Sequence, residues 1–169
     1  EIADQLIVLQ SAALDAIPAQ LRYKTQVIYQ SVTVDVAQSI AQSDFQVTVI
    51  GHLREEKDPF CIVRSLMLLP ADSKITVTHL GQAMSPQMKD FAQNFNATED
   101  RYQWIGEVSH TDALQVLSQS SLMVISSRME GGAHVVMEAV CSSTPVSGWR
   151  VKASEVSEPR SMPTRPHIS

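Results

Sequence analysis

Nowhere among the 169 residues does an apolar run approach the roughly 18 residues that would suggest a membrane-spanning helix. Cysteine is scarce. Cys61 and Cys141 lie far apart and match no metal-ligand spacing, and each sits among apolar neighbours, "PFCIVRSL" and "EAVCSS". They read as buried thiols in a reducing cytoplasm, with one disulfide between them as the alternative. Basic residues are outnumbered, 13 Lys and Arg against 18 Asp and Glu, for a formal net charge of −5. That balance argues against a nucleic-acid binder held mainly by phosphate contacts, but it is compatible with a small phosphorylated ligand. No G-x-G-x-x-G follows a strand, so a dehydrogenase lacks support. Ser31 and Ser127 have no His and Asp in a recognisable arrangement, so a hydrolase triad is unsupported. No cluster has convincing metal-ligand spacing. The start, "EIADQLIVLQ", has neither the basic flank of a signal peptide nor an initiating methionine, and reads as that of a fragment or processed chain.

What is present is a globular composition, 44% apolar and 18% charged, with room for one domain of ordinary size. Short apolar runs alternate with helical patterns. Strands are expected at 5–10 and 26–32, separated by an amphipathic segment from Ala12 to Leu21 with Pro18 inside it. From Phe45 the alternation is regular. "FQVTVIG" (45–51), "KITVTHLG" (74–81) and "YQWIG" (102–106) are β-rich and close on glycine, and "LMVISS" (122–127) and "TPV" add further strands. Helices are expected at 58–70, opened by Asp58 before a proline, at 85–95, capped by Ser85 with Pro86 behind it, at 110–120 and at 132–141. This pattern implies an α/β fold, a Rossmann-like parallel sheet with helices on both faces. Ligands of such sheets bind beyond the carboxyl ends of the strands.

Two stretches fall at such ends. "GHLREEKDP" (51–59) places His52, Arg54 and Lys57 after a strand-ending glycine, donors suited to a departing diphosphate. The ordinary alternative is a solvated loop whose charges cancel through Glu55, Glu56 and Asp58. "SSRMEGGAHVVMEAV" (126–140) sets Glu130 in a loop and Glu138 in the second turn of a helix. Their separation is on the order of 10 Å if most of the intervening residues are helical. That matches a span from sugar across diphosphate to ribose. Gly131 and Gly132 let the backbone approach phosphates, and the helix start offers unpaired N–H groups. A carboxylate such as Glu138 can accept both ribose hydroxyls; its ordinary alternative is an exposed helix residue. His79, within an apolar strand, reads as structural. His110 reads as a helix-start residue, and His134 faces either ligand or solvent.

Taken together, "GHLREEK" and "EGGAHVVMEA" resemble the nucleotide-sugar half of retaining glycosyltransferases with two Rossmann domains (the GT-B fold), family 4 or glycosyl transferases group 1. That family carries Glu, seven residues, Glu, as Glu130 and Glu138 do, and a "G-R-x-x-x-x-K" loop that Gly51 and Lys57 match in register. His52 stands where the family usually has arginine. The resemblance runs from about Val47 to Val146. "GHLREEKDPF", "LLPADSKITVTHLG" and "MEGGAHVVMEA" are closest to a bacterial branch that couples a nucleotide-activated N-acetylhexosamine to selenophosphate.

The resemblance implies an incomplete donor-binding half of a GT-B fold. Residues 1–35 would end an acceptor-side domain and linker, 36–148 would form a partial nucleotide-sugar-binding domain, and 149–169 an irregular tail. Lys57 and Glu130 would be catalytic. His52, Arg54, Gly131, Gly132, Ala133, His134 and Glu138 would bind the donor. The partner would be a UDP-linked sugar used as substrate in the cytoplasm, with no metal, other cofactor, nucleic acid or membrane segment, and with acceptor and oligomeric state open. The rival expectation is a non-catalytic nucleotide- or nucleotide-sugar-binding α/β module.

Overall fold

The computed structural model describes residues 3–29, 31–32, 34, 44–128 and 134–148. Two sheets are present among the described residues. The strands β1 (Leu6–Val8) and β2 (Thr25–Val27) pair in parallel and form a sheet of their own. Between them the amphipathic stretch forms two short 3-10 helices, Ser11–Ala16 and Ala19–Lys24, parted at Pro18. Proline has no N–H to continue a helix, which divides the segment there. The strand expected at 26–32 is shorter, and residues 35–43, at the start of the expected nucleotide-sugar domain, lie outside the described residues along with 149–169.

The main sheet has five parallel strands: β3 (Phe45–Ile50), β4 (Ile75–Leu80), β5 (Tyr102–Gly106), β6 (Leu122–Ile125) and β7 (Val146–Gly148). Their spatial order is β5-β4-β3-β6-β7. The intervening helices are α1 (Cys61–Leu66), α2 (Pro86–Thr98), α3 (His110–Ser118) and α4 (His134–Cys141).

Period-two alternation in the strands divides the core. Val47, Val49 and Val77 pack with Val63 and Leu66 of α1, with Phe95 of α2 beside them. On the opposite face Met123 packs with Leu114 and Leu117 of α3 and Ala139 of α4, flanked by Ile50 and Ile125. Both faces are therefore covered, as a parallel sheet requires. Thr48, on the second face and fully buried, bonds the Ser120 hydroxyl at 2.5 Å, so its polar atom does not go unpaired.

Two expectations are corrected. The helix expected at 58–70 begins only at Cys61 and ends at Leu66. Asp58 does not cap it through its side chain. Instead it adopts φ +40° and closes the short 3-10 turn Glu55–Lys57; a residue before proline is disfavoured in the right-handed helical region, so the helix does not start there. The cysteines are not both buried thiols: Cys141 is exposed on α4 and Cys61 is half-buried, and both are free.

Candidate functional site

The strand order reverses at one place. From β3 the chain moves outward through β4 to β5, then crosses back to place β6 on the other side of β3. At such a switch point the connections leaving the two neighbouring strands diverge and open a crevice. The loop 51–59 leaves β3 and the segment after Ile125 leaves β6. Both stretches singled out in the sequence flank this one crevice.

The 51–59 loop is anchored before it delivers its charges. The Gly51 N–H donates to the Leu80 carbonyl at 2.8 Å, Leu53 N–H to Gln82 at 2.9 Å, and Met84 N–H to Leu53 at 3.1 Å. Leu53 is fully buried while its neighbours His52 and Arg54 are exposed. The alternation pins the loop by its apolar member and leaves the polar ones at the surface. A cleft of about 360 Å³ opens on the side of the loop toward β4 and β5, with His52, Arg54 and Lys57 on one side and Gly81, Glu107 and Val108 on the other. A smaller space of about 20 Å³, roughly that of one water, lies deeper between Lys57, His79 and Ser126.

The two stretches are joined directly. The Ser126 hydroxyl donates to the Lys57 carbonyl at 2.8 Å, and the Arg128 N–H donates to the Glu56 carbonyl at 2.9 Å. Asp58 is held by the Arg64 guanidinium at 2.8 and 3.1 Å and lies 3.8 Å from that of Arg128. Its carboxylate therefore faces arginines of α1 and the β6 loop. The charge cancellation weighed for an isolated loop loses one of its three acids.

His52 accepts a hydrogen bond at Nδ1 from the Gln82 N–H at 3.1 Å. In a neutral ring the hydrogen then resides on Nε2. A single N–H is available where arginine would present five. His79 is structural, as expected: Nε2 lies 3.3 Å from the Gly51 carbonyl and Nδ1 3.0 Å from the Tyr102 hydroxyl. A carbonyl only accepts, so Nε2 carries the hydrogen and the tyrosine donates to Nδ1. Burial lowers the His79 pKa to about 4, opposed in part by the bond to Gly51. Burial likewise raises that of Tyr102.

Glu138 lies in the second turn of α4, as expected, but it is not an exposed helix residue. It is 8% exposed, and its Oε1 lies 2.7 Å from Nε2 of His110 on α3. His134, one turn earlier on α4, is exposed and places Nε2 3.7 Å from the same oxygen. Glu130, Gly131, Gly132 and Ala133 lie outside the described residues. The structure thus brings His52, Arg54 and Lys57 together, and separately groups His134 with Glu138. Glu107 and Ser126 line the two spaces and His110 meets Glu138, and the sequence picked out none of the three as a candidate. Their proximity to the site comes from strand order, for which no local pattern exists. Among the described residues, no group of three or more His, Cys, Asp or Glu is arranged to hold a metal ion. None of the described helices is long and apolar enough to cross a membrane.

The Rossmann-like α/β fold of this chain matches that of a GT-B glycosyltransferase domain. The chain belongs to the family described as Glycosyl transferases group 1, which it matches over residues 33–148. Among solved structures it resembles Anabaena HepE in complex with UDP and glucose, with TM-score 0.70 and 20% identity over 86% of this chain and 44% of that one. It also resembles a Staphylococcus aureus TarM mutant bound to Fondaparinux, alpha-GlcNAc-glycerol and UDP (0.71, 19%, 88% of this chain and 30% of that one). A third is the pneumococcal O-GlcNAc transferase GtfA with UDP and GlcNAc (0.68, 21%, 89% and 31%). The chain spans less than half the length of each. No curated protein sequence matches it.

Proposed function

We propose that this chain binds a UDP-linked sugar at the β3–β6 crevice and forms the donor side of a retaining, family 4 glycosyltransferase. One observation carries the reading: the cationic loop 51–59 and the segment containing the two glutamates leave adjacent strands and are bonded through Ser126 and Arg128. The family assignment and the UDP seen in HepE and GtfA support it.

In such a transfer the acceptor oxygen or other nucleophile bonds to the anomeric carbon while the bond to the diphosphate oxygen breaks. The acceptor's proton leaves with the diphosphate or to solvent. Negative charge grows on the leaving diphosphate, and preorganised cations stabilise it. Lys57 has that role, with Arg54 and the Nε2–H of His52. Glu130 orients the sugar, Gly131 to Ala133 present backbone N–H groups to the phosphates, His134 borders them, and Glu138 receives the ribose. Residues 1–35 belong to the acceptor side in this reading, and 36–148 to the donor domain. The resemblance to the selenosugar branch makes selenophosphate the acceptor to supply first.

Calorimetric titration of the chain with UDP, UDP-glucose and UDP-N-acetylglucosamine tests the donor site. Saturable binding that persists in EDTA is expected, and its absence overturns the reading. Lys57→Ala is expected to weaken UDP about tenfold or more, the scale of one charge-assisted phosphate contact. In a polypeptide carrying both halves it should abolish transfer, and unchanged turnover would remove Lys57 from the mechanism.

A further inference from the structure

The contact between His110 and Glu138 joins two elements and has no role in the scheme above. Glu138 Oε1 and His110 Nε2 are 2.7 Å apart. A carboxylate in its ionised form only accepts, so His110 is the donor whichever charge its ring carries. The glutamate side chain is 11% exposed and the histidine 68%. The ring thus sits at the surface, beside the little of the carboxylate that solvent reaches. His134 at 3.7 Å is beyond hydrogen-bond distance from Oε1. Among the described residues none bonds Oε2.

We propose that His110 is a positioning residue that fixes the Glu138 carboxylate by one oxygen and leaves the other to accept from the ribose hydroxyls. The inference rests on the donor-site reading and adds to it a residue on α3. A free glutamate has three side-chain torsions to immobilise when it grips a ligand. One already tethered at Oε1 has fewer to lose, so binding of a diol meets less opposition from ordering. A donor site of this kind rejects an analogue that lacks the hydroxyl, because the aimed oxygen is then left without its partner. Without the tether the carboxylate rotates, and discrimination between ribose and deoxyribose weakens.

The experiment titrates the full chain with UDP and with 2′-deoxy-UDP and takes the ratio of affinities. In the wild type UDP is expected to bind about tenfold tighter. His110→Ala should lower that ratio to about two, chiefly by weakening UDP. His110→Gln, whose amide can donate from near the Nε2 position, should restore most of it. A uniform loss of affinity for both ligands would mark a merely structural role and overturn the proposal. An unchanged ratio in His110→Ala, with the wild type discriminating, also overturns it and leaves the donor-site reading standing. A wild type that binds UDP without discriminating removes Glu138 from the ribose, and the inference falls with it. Circular dichroism of each variant verifies the fold, which exposure of the His110 ring favours.

Discussion

Gly81 carries more of the site's geometry than Gly51, although Gly51 is the glycine that the loop motif picks out. Gly81 has φ +146°, and a Cβ built on it would meet the Gly51 carbonyl oxygen at 2.1 Å. The clash is with backbone, which cannot swing aside as a side-chain tip can. At Gly51 a Cβ would meet nothing within 4 Å. Gly81→Ala is therefore expected to cost about 3 kcal/mol, the range of overpacked and strained positions. Gly51→Ala should stay within about 1 kcal/mol. Urea denaturation of the two variants verifies the order. The same contrast limits what a residue pattern reveals. "GHLREEK" was legible because its members are adjacent in the chain. The need for Gly81 arises from a backbone thirty residues away, and His110 meets Glu138 across twenty-eight.

At the level of elements, short-range chemistry was a good guide where a cap or a breaker stood at the end. Ser85 accepts from the Met88 N–H with Pro86 behind it, as expected from those two residues. Strands ended at or beside Gly51, Gly81 and Gly106. The guide failed at α1, where Asp58 resembled a cap but closes a turn, because its own backbone is already in the left-handed region. α3 has a cap of functional interest. Ser109 accepts from the Asp112 N–H at 3.1 Å and donates to the Asp112 carboxylate at 2.6 Å. His110 is the first residue behind that cap. Ser109→Ala should cost about 1 kcal/mol, measured by urea denaturation. It should also loosen the start of α3, where the ring that reaches Glu138 is mounted.

Stability of the whole molecule should depend on pH through His79. Its folded pKa is held at about 4 against an ordinary value of 6.5, so the unfolded chain takes up the proton first. The stability it contributes is full above pH 6.5 and is lost as pH falls through about 4. At 1.36 kcal/mol per unit, the shift corresponds to roughly 3 kcal/mol over that window. Urea midpoints at pH 7, 5 and 4 should show this loss in the wild type and a shallower one in His79→Gln. Equal slopes would exclude His79 as the source. The sequence by itself determined the class of fold, since alternation with period two and with the helical period dictates which element each stretch can form. It also supplied the charged loop and the spaced glutamates, and their family resemblance. Only the tertiary structure decided that β6 lies beside β3. That places the two stretches around one crevice and turns Glu138 from a helix carboxylate into a buried group held by His110. Strand order depends on which apolar faces pack together across the chain, and that preference is not carried by any local run of residues.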